Sequence, residues 1–247
     1  MKDNITKIKI IALAILTALS THAEDMQKYL SDTNKLVHEG KYEEALERYI
    51  WFHDHALEHE RSMHGVRLSF ALMYWNKLGE KYPPALEAFK KVRDEKTQRL
   101  VDGKGSYDLF VDVHALNRQL GDNDKSIKLF KELDENQRAL AQKCWNIADD
   151  IIIEAKDFEL ARKYIGDPMQ EFEKAKQNYA QLVTMYEMND TGDSIKSFNE
   201  KNFVDESIRI INVALAFEDI DSAKKIQKEA ISILDNPRLK NAVSDDK

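Results

Sequence analysis

The chain has 247 residues, 33% charged and 43% hydrophobic, with 44 acidic against 37 basic side chains and a net charge of −7. Only 8 Gly and 4 Pro occur, well under half of the roughly 12% usual for the pair. This excludes β-sandwiches and barrels, which need a turn signal every ~8–12 residues, and collagen-like or Pro/Gly-rich disordered chains, and leaves an all-α protein able to bury a core.

Residues 1–23 read as a cleaved export signal. Lys2, Lys7 and Lys9 precede an apolar run over residues 10–19, and Thr21 and Ala23 put small residues before a cut after Ala23. The run falls short of the ~20 residues that span a bilayer; an uncleaved interfacial anchor is the alternative. No Cys follows it to carry a lipid, and no later stretch is apolar enough to be transmembrane. The segment holds three Lys and one Asp, so the remainder is more acidic than the whole chain. That balance argues against nucleic acid or anionic lipid as the main partner. The expected location is periplasmic or secreted.

Beyond the signal, apolar periodicity near 3.6 residues predicts helices over 25–39, 41–59, 64–78, 82–100, 106–120, 123–134, 136–155, 157–165, 168–188, 196–217 and 220–234. No linker rich in Gly, Ser or Pro divides them, so residues 24–239 are expected to form a single α-helical domain, with 240–247 a frayed polar tail. Cys144, the single cysteine, cannot form an internal disulfide. It lies between apolar residues at helical spacing and reads as a buried, inert thiol.

One pattern recurs five times. A small residue follows a partner three positions earlier and opens an amphipathic run: Tyr42 and Ala45, Tyr82 and Ala85, Asn123 and Ser126, Phe158 and Ala161, Ile220 and Ala223. Four residues further on stand Tyr49, Phe89, Phe130, Ile165 and Gln227. Gly40, Gly79 and Gly121 precede the first three segments, and the small positions are 40, 41, 35 and 62 residues apart. Such a unit ends one helix on a glycine, starts the next at once, and lets the two approach at the small residue. A single pair cannot bury its apolar face, so neighbouring pairs stack.

At these residues the chain resembles the tetratricopeptide-repeat (TPR) family, whose repeat carries G-x-[YF]-x-x-A with a large apolar residue four further on. Gly40, Tyr42, Ala45 and Tyr49 match in full; Tyr82, Ala85 and Phe89 match with Gly79 one position early; the third unit keeps Gly121 and Phe130; the fourth and fifth lack the glycine. The first two spacings exceed the family's usual period of about 34. The resemblance spans roughly residues 26–236. It implies a right-handed superhelix, a solenoid of antiparallel helix pairs, whose concave face holds a peptide or a partner protein.

Three groups could carry chemistry. His53, His55, His59 and His64 lie within twelve residues, and His55 and His59 share a helix face at a spacing that suits two metal ligands. His53 stands about 200° around the helix from His55 and cannot join the same site. Hydrogen-bonded surface histidines are the plainer reading, and no metal ligand or cofactor is assigned. Tyr49 and Phe52 fall at core spacing after Ala45, whereas Trp51 and Trp75 are free to face a ligand groove. The twelve residues 189–200 end in Glu like a calcium loop, but Gly192 stands at position 4 where position 6 requires it, so the segment reads as an ordinary connection. No P-loop, nucleophile elbow or other catalytic pattern occurs. The expected function is a non-enzymatic module or scaffold that binds a protein or peptide partner of the cell envelope. The alternative is a metal- or small-molecule-binding protein, or an enzyme, with a site around His55 and His59; a third reading is a spacer within a larger assembly.

Overall fold

The computed structural model describes residues 25–189 and 193–243; residues 1–23, expected from the sequence to be an export signal, lie outside the described residues. These residues are all-helical, with no strand among them. The helices are α1 (Met26–His38), α2 (Tyr42–His59), α3 (His64–Arg67), α4 (Phe70–Lys81), α5 (Pro83–Val101), α6 (Tyr107–Leu120), α7 (Asn123–Asn136), α8 (Arg138–Glu154), α9 (Phe158–Ile165), α10 (Pro168–Asn189), α11 (Asp193–Ala216), α12 (Ile220–Ile233) and α13 (Pro237–Lys240). A 3₁₀ turn, Arg61–Met63, precedes α3. No described helix is long and apolar enough to cross a membrane. By its contacts the chain divides into two compact units, residues 1–126 and 127–247.

Four of the five recurring segments open on the same backbone turn. Gly40, Gly121, Lys156 and Glu218 each take a left-handed φ, between 58° and 76°. The amide of the next residue reaches the carbonyl five before it: Lys41 to Leu36, Asp122 to Asn117, Asp157 to Ile152, and Asp219 to Ala214, at 2.9–3.1 Å. This is the Schellman closure, which satisfies carbonyls that a helix end leaves free. Lys156 and Glu218 stand where the sequence pattern lacks its glycine. The turn persists there although a side chain makes it cost about 1–2 kcal/mol. Asp157 and Asp219 then cap the next helix, accepting from the amides of Leu160 and Ser222 at 3.2 Å.

The second segment is built differently. Gly79 does not end a helix; it lies inside α4. A Cβ placed there would sit 2.8 Å from Leu86 Cβ, so its missing side chain lets α4 and α5 touch. The turn is made by extended Tyr82, and Pro83 and Pro84 open α5, where absent amides cost nothing.

All five small residues, Ala45, Ala85, Ser126, Ala161 and Ala223, are fully buried, and Tyr49, Phe89, Phe130 and Ile165 are buried four positions on. In the first unit α1 packs on α2, α2 and α6 on α4, and α5 on both α4 and α6. Its core holds Phe52, Leu72, Trp75, Leu78, Phe89 and Leu116. The helix expected over 64–78 is broken at Leu68 and Ser69, where the chain turns Arg67 inward and Ser69 Oγ donates to the Gly65 carbonyl at 2.7 Å.

In the second unit α11 is central, packing on α8, α9, α10, α12 and α13. The 62-residue spacing between Ala161 and Ala223 is taken up by the long helices α10 and α11. Gln227, the polar exception to the pattern, donates to the carbonyls of Leu239 and Lys240, both at 3.0 Å. It thereby holds α13, and Leu239 and Val243 are buried with the α11–α12 core. Val243 falls in the stretch expected to fray.

Gly79→Ala and Gly65→Ala should have opposite signs in urea denaturation. Alanine in a helix is worth up to ~1 kcal/mol over glycine, and a Cβ at Gly65 meets nothing within 4 Å, so that variant gains stability. At Gly79 the contact with Leu86 outweighs propensity and stability falls by about 1–3 kcal/mol. Equal gains at both positions would contradict the close approach of α4 and α5.

Candidate functional site

The four clustered histidines part company. His53 is buried among the core helices, 2% exposed. His55 Nδ1 lies 3.2 Å from Glu58 Oε2 on the half-exposed side of α2. The rings of His55 and His59 flank Trp51, at centroid distances of 5.4 and 5.3 Å. His64 is exposed at the start of α3. Among the described residues no three His, Cys, Asp or Glu side chains are grouped to hold a metal ion, so His55 and His59 find no third ligand there. Trp51 is half-buried and also meets Tyr29 at 4.8 Å. Trp75 is a core residue: its Nε1 donates to the Ala85 carbonyl at 3.0 Å, and it meets Phe89 edge-on at 5.0 Å. Cys144 is a free, buried thiol whose pKa burial pushes up to about 11, which keeps it protonated and unreactive at neutral pH.

Sequence reasoning missed a buried charged cluster in the first unit. Arg67, from α3, is bidentate to Asp112 of α6 and donates to the His53 carbonyl at 3.0 Å. Lys96 of α5 donates to Asp112 Oδ2 at 2.9 Å, and His53 Nε2 lies 3.9 Å from the same oxygen. Burial alone would raise the Asp112 pKa, but the Arg67 hydrogen bonds and the charges of Arg67 and Lys96 outweigh it and hold the carboxyl below its usual range. Burial lowers the His53 pKa to about 3, with the Lys96 charge adding to the shift and Asp112 opposing it. The cluster is thus Arg⁺, Lys⁺, Asp⁻ and neutral imidazole. It ties together α2, α3, α5 and α6, and both sides of each ionic bond are spent on the protein itself. One signal was available: Asp112 is the single charged residue in residues 109–116, an otherwise apolar run apart from His114.

A cleft of about 400 Å³ opens on the first unit between α1, α2 and α4. Asn34, Val37 and His38 come from α1 at helical spacing i, i+3, i+4. Tyr74, Lys77, Leu78 and Lys81 come from α4 at i, i+3, i+4, i+7, and Tyr49 from α2 forms the floor. Each set is one face of its helix. Buried Tyr49 donates its phenol proton to Asn34 Oδ1, and burial raises its pKa, so it stays neutral. Lys77 and Lys81 are exposed, and among the described residues neither has a carboxylate in salt-bridge range. Exposed Glu80 of α4 also lines the cleft. The cleft therefore joins an apolar wall of Val37, Tyr74 and Leu78 to two cations that form no ion pair and to one carboxylate.

The second unit carries a more open cleft of about 420 Å³ lined by Lys131, Asp134, Asp157 and Lys163 among others. Lys131 pairs with Asp157, Lys163 donates to Asp134 at 2.8 Å, and the guanidinium of Arg162, which also lines this cleft, lies over the Phe217 ring at 4.2 Å from its centroid. Comparison of the chain with protein-family models, with curated proteins and with solved structures finds no match in any of the three.

The buried imidazole sets a pH dependence. The unfolded chain protonates His53 near pH 6.5, while the folded protein keeps it neutral down to about pH 3. Its contribution is present above pH 6.5 and is lost as pH falls toward 3. Replacement by His53→Leu should remove about 2 kcal/mol of the stability that the wild type loses between pH 7 and pH 5. Urea denaturation at the two pH values checks this, and parallel pH curves for the two proteins would contradict it.

Proposed function

We propose that this protein is an exported, TPR-like helical-repeat module, not an enzyme, that binds an acidic segment of a partner protein in the α1–α2–α4 cleft. The observation that carries the reading is the pairing of an apolar wall with Lys77 and Lys81, two exposed cations that form no ion pair and outnumber Glu80, the one carboxylate lining the same cleft. An acidic side chain or carboxylate terminus would supply the missing counter-charges, and apolar side chains beside it would pack on Tyr74 and Val37. Electrostatic complementarity of this kind sets partner choice and encounter rate more than raw affinity.

The repeat reading is supported by the turn that recurs at Gly40, Gly121, Lys156 and Glu218 and by the five fully buried small residues. On this reading the helix pairs stack as a right-handed solenoid, with α1 and α4 contributing to its inner face, where repeat arrays hold extended segments. On this reading residues 1–23 are a cleaved export signal, the module works in the periplasm or outside the cell, and its partner is an envelope protein, in keeping with the chain's acidic balance.

The test is binding of fluorescent peptides of equal length that differ in charge, measured by anisotropy against the purified protein. Acidic peptides with one or two apolar residues should bind, basic ones should not, and binding should weaken with salt. Lys77→Glu combined with Lys81→Glu should reduce affinity roughly tenfold or more with helical circular dichroism unchanged. Binding that ignores peptide charge, or that survives the double reversal, would remove the cleft from consideration.

A further inference from the structure

In the second unit one cation is shared by carboxylates from two helices. Asp149 of α8 and Arg209 of α11 meet at 3.4 Å, Oδ2 to Nε, and the Asp149 side chain is only 15% exposed. The guanidinium gives its hydrogen bond to another carboxylate, Glu206 Oε2, one turn earlier on α11, at 2.9 Å. Asp150 stands beside Asp149 on α8, and its backbone amide donates to Asp149 Oδ1 at 2.8 Å. The neighbouring positions of both helices are apolar: Ala148 and Ile152 on α8, and Ile210 and Val213 on α11, are buried.

A carboxylate is poorly served in that setting. Withdrawal from water penalises its ionised form. Glu206 and Asp150 repel it, and Arg209, divided between two carboxylates, offsets only part of the cost, so the Asp149 pKa is pushed up to about 6. The neighbouring elements hold their charges in other contacts. Lys163 of α9 donates to Asp134 of α7, and Arg162 of α9 lies over the Phe217 ring. Lys176 of α10 pairs with Glu229 of α12, and Arg238 of α13 pairs with Asp205 of α11. Arg209 is the cation that acts on Asp149.

We propose that Asp149 makes the α8–α11 contact a proton-sensitive latch, tightened when its carboxyl is neutral and loosened when it is ionised. A proton on Asp149 removes the repulsion from Glu206 and Asp150 and the cost of a charge held out of water, and it leaves Arg209 to Glu206. In the opened contact the carboxyl meets water and titrates near the ordinary 3.8. The closed contact therefore holds the proton more firmly. It gains stability as pH falls through about 6 and loses it as pH rises. Acid acts here with the sign opposite to its effect on His53 in the first unit, where the neutral imidazole is the form that folding favours. No group of the α1–α2–α4 cleft takes part.

Amide hydrogen exchange of the whole protein, corrected for the intrinsic rate at each pH, tests it beside Asp149→Asn, whose side chain is similar in size and stays uncharged. From pH 7 to pH 5 the opening equilibrium of amides in α8 and α11 should fall about tenfold in the wild type relative to the variant. Amides of α2 and α6 in the first unit should show no such difference between the two proteins. A second measurement needs no variant: the side-chain carboxyl carbon of Asp149, followed by NMR, should titrate at about 6. Glu206→Gln should move that midpoint down, since it removes a repelling charge and frees Arg209 for Asp149. A ratio of wild type to Asp149→Asn that is the same at both pH values, or an Asp149 midpoint near the ordinary 3.8, overturns the proposal.

Discussion

Everything in this molecule depends on how closely consecutive helices can approach at one small residue. Ala45, Ala85, Ser126, Ala161 and Ala223 have no exposed surface. Each stands one turn into a helix that follows a short connection, where a larger side chain would push the neighbouring helix outward. Close packing leaves few voids and little room for added volume. The large residues four positions later, Tyr49, Phe89, Phe130 and Ile165, can then be buried as well. At Ser126 the hydroxyl does a second task, accepting from Asn117 Nδ2 at 3.0 Å. Gly79 carries the same logic further, since even a methyl group would collide with Leu86.

Charge is distributed around that apolar frame with different outcomes in different places. Inside the first unit, Arg67 and Lys96 both pair with Asp112 and join helices distant in sequence. A buried pair of this kind contributes little net stability, but losing one partner strands the others and is costly. In the second unit Asp134 collects hydrogen bonds from Lys163 and Tyr164. Asp149 is treated less generously. Burial, with Glu206 and Asp150 nearby, raises its pKa to about 6 against the opposing charge of Arg209. Lys77 and Lys81 are different again, exposed in a cleft where Glu80 is the one carboxylate and neither forms an ion pair, and for that reason the functional reading rests on them.

The helical class was legible because apolar residues recur at 3.6, and the small positions because a short residue between two large ones is conspicuous in a chain of amphipathic helices. The pattern even marked the turns at Lys156 and Glu218, where glycine is gone but the left-handed backbone remains. Other features were not legible. Gly79 looked like a helix end and is a contact between helices, since the same residue serves both purposes. Trp75 and Trp51 looked alike; only packing buries one against Phe89 and leaves the other beside His55 and His59. The ion cluster draws single polar residues from α2, α3, α5 and α6, and no local spacing links residues 53, 67, 96 and 112. The cleft is likewise a product of three helices, although each wall is an ordinary helix face.

The central claim, that buried small residues set the helix spacing, is tested most directly by urea denaturation of Ala45→Leu, Ala85→Leu, Ala161→Leu and Ala223→Leu beside Ala139→Leu, whose alanine is exposed on α8. The four buried sites should each lose about 1–3 kcal/mol or more from overpacking, while Ala139→Leu stays within about 0.5 kcal/mol of the wild type. Buried variants as stable as the exposed one would show that the helices are held apart by something else.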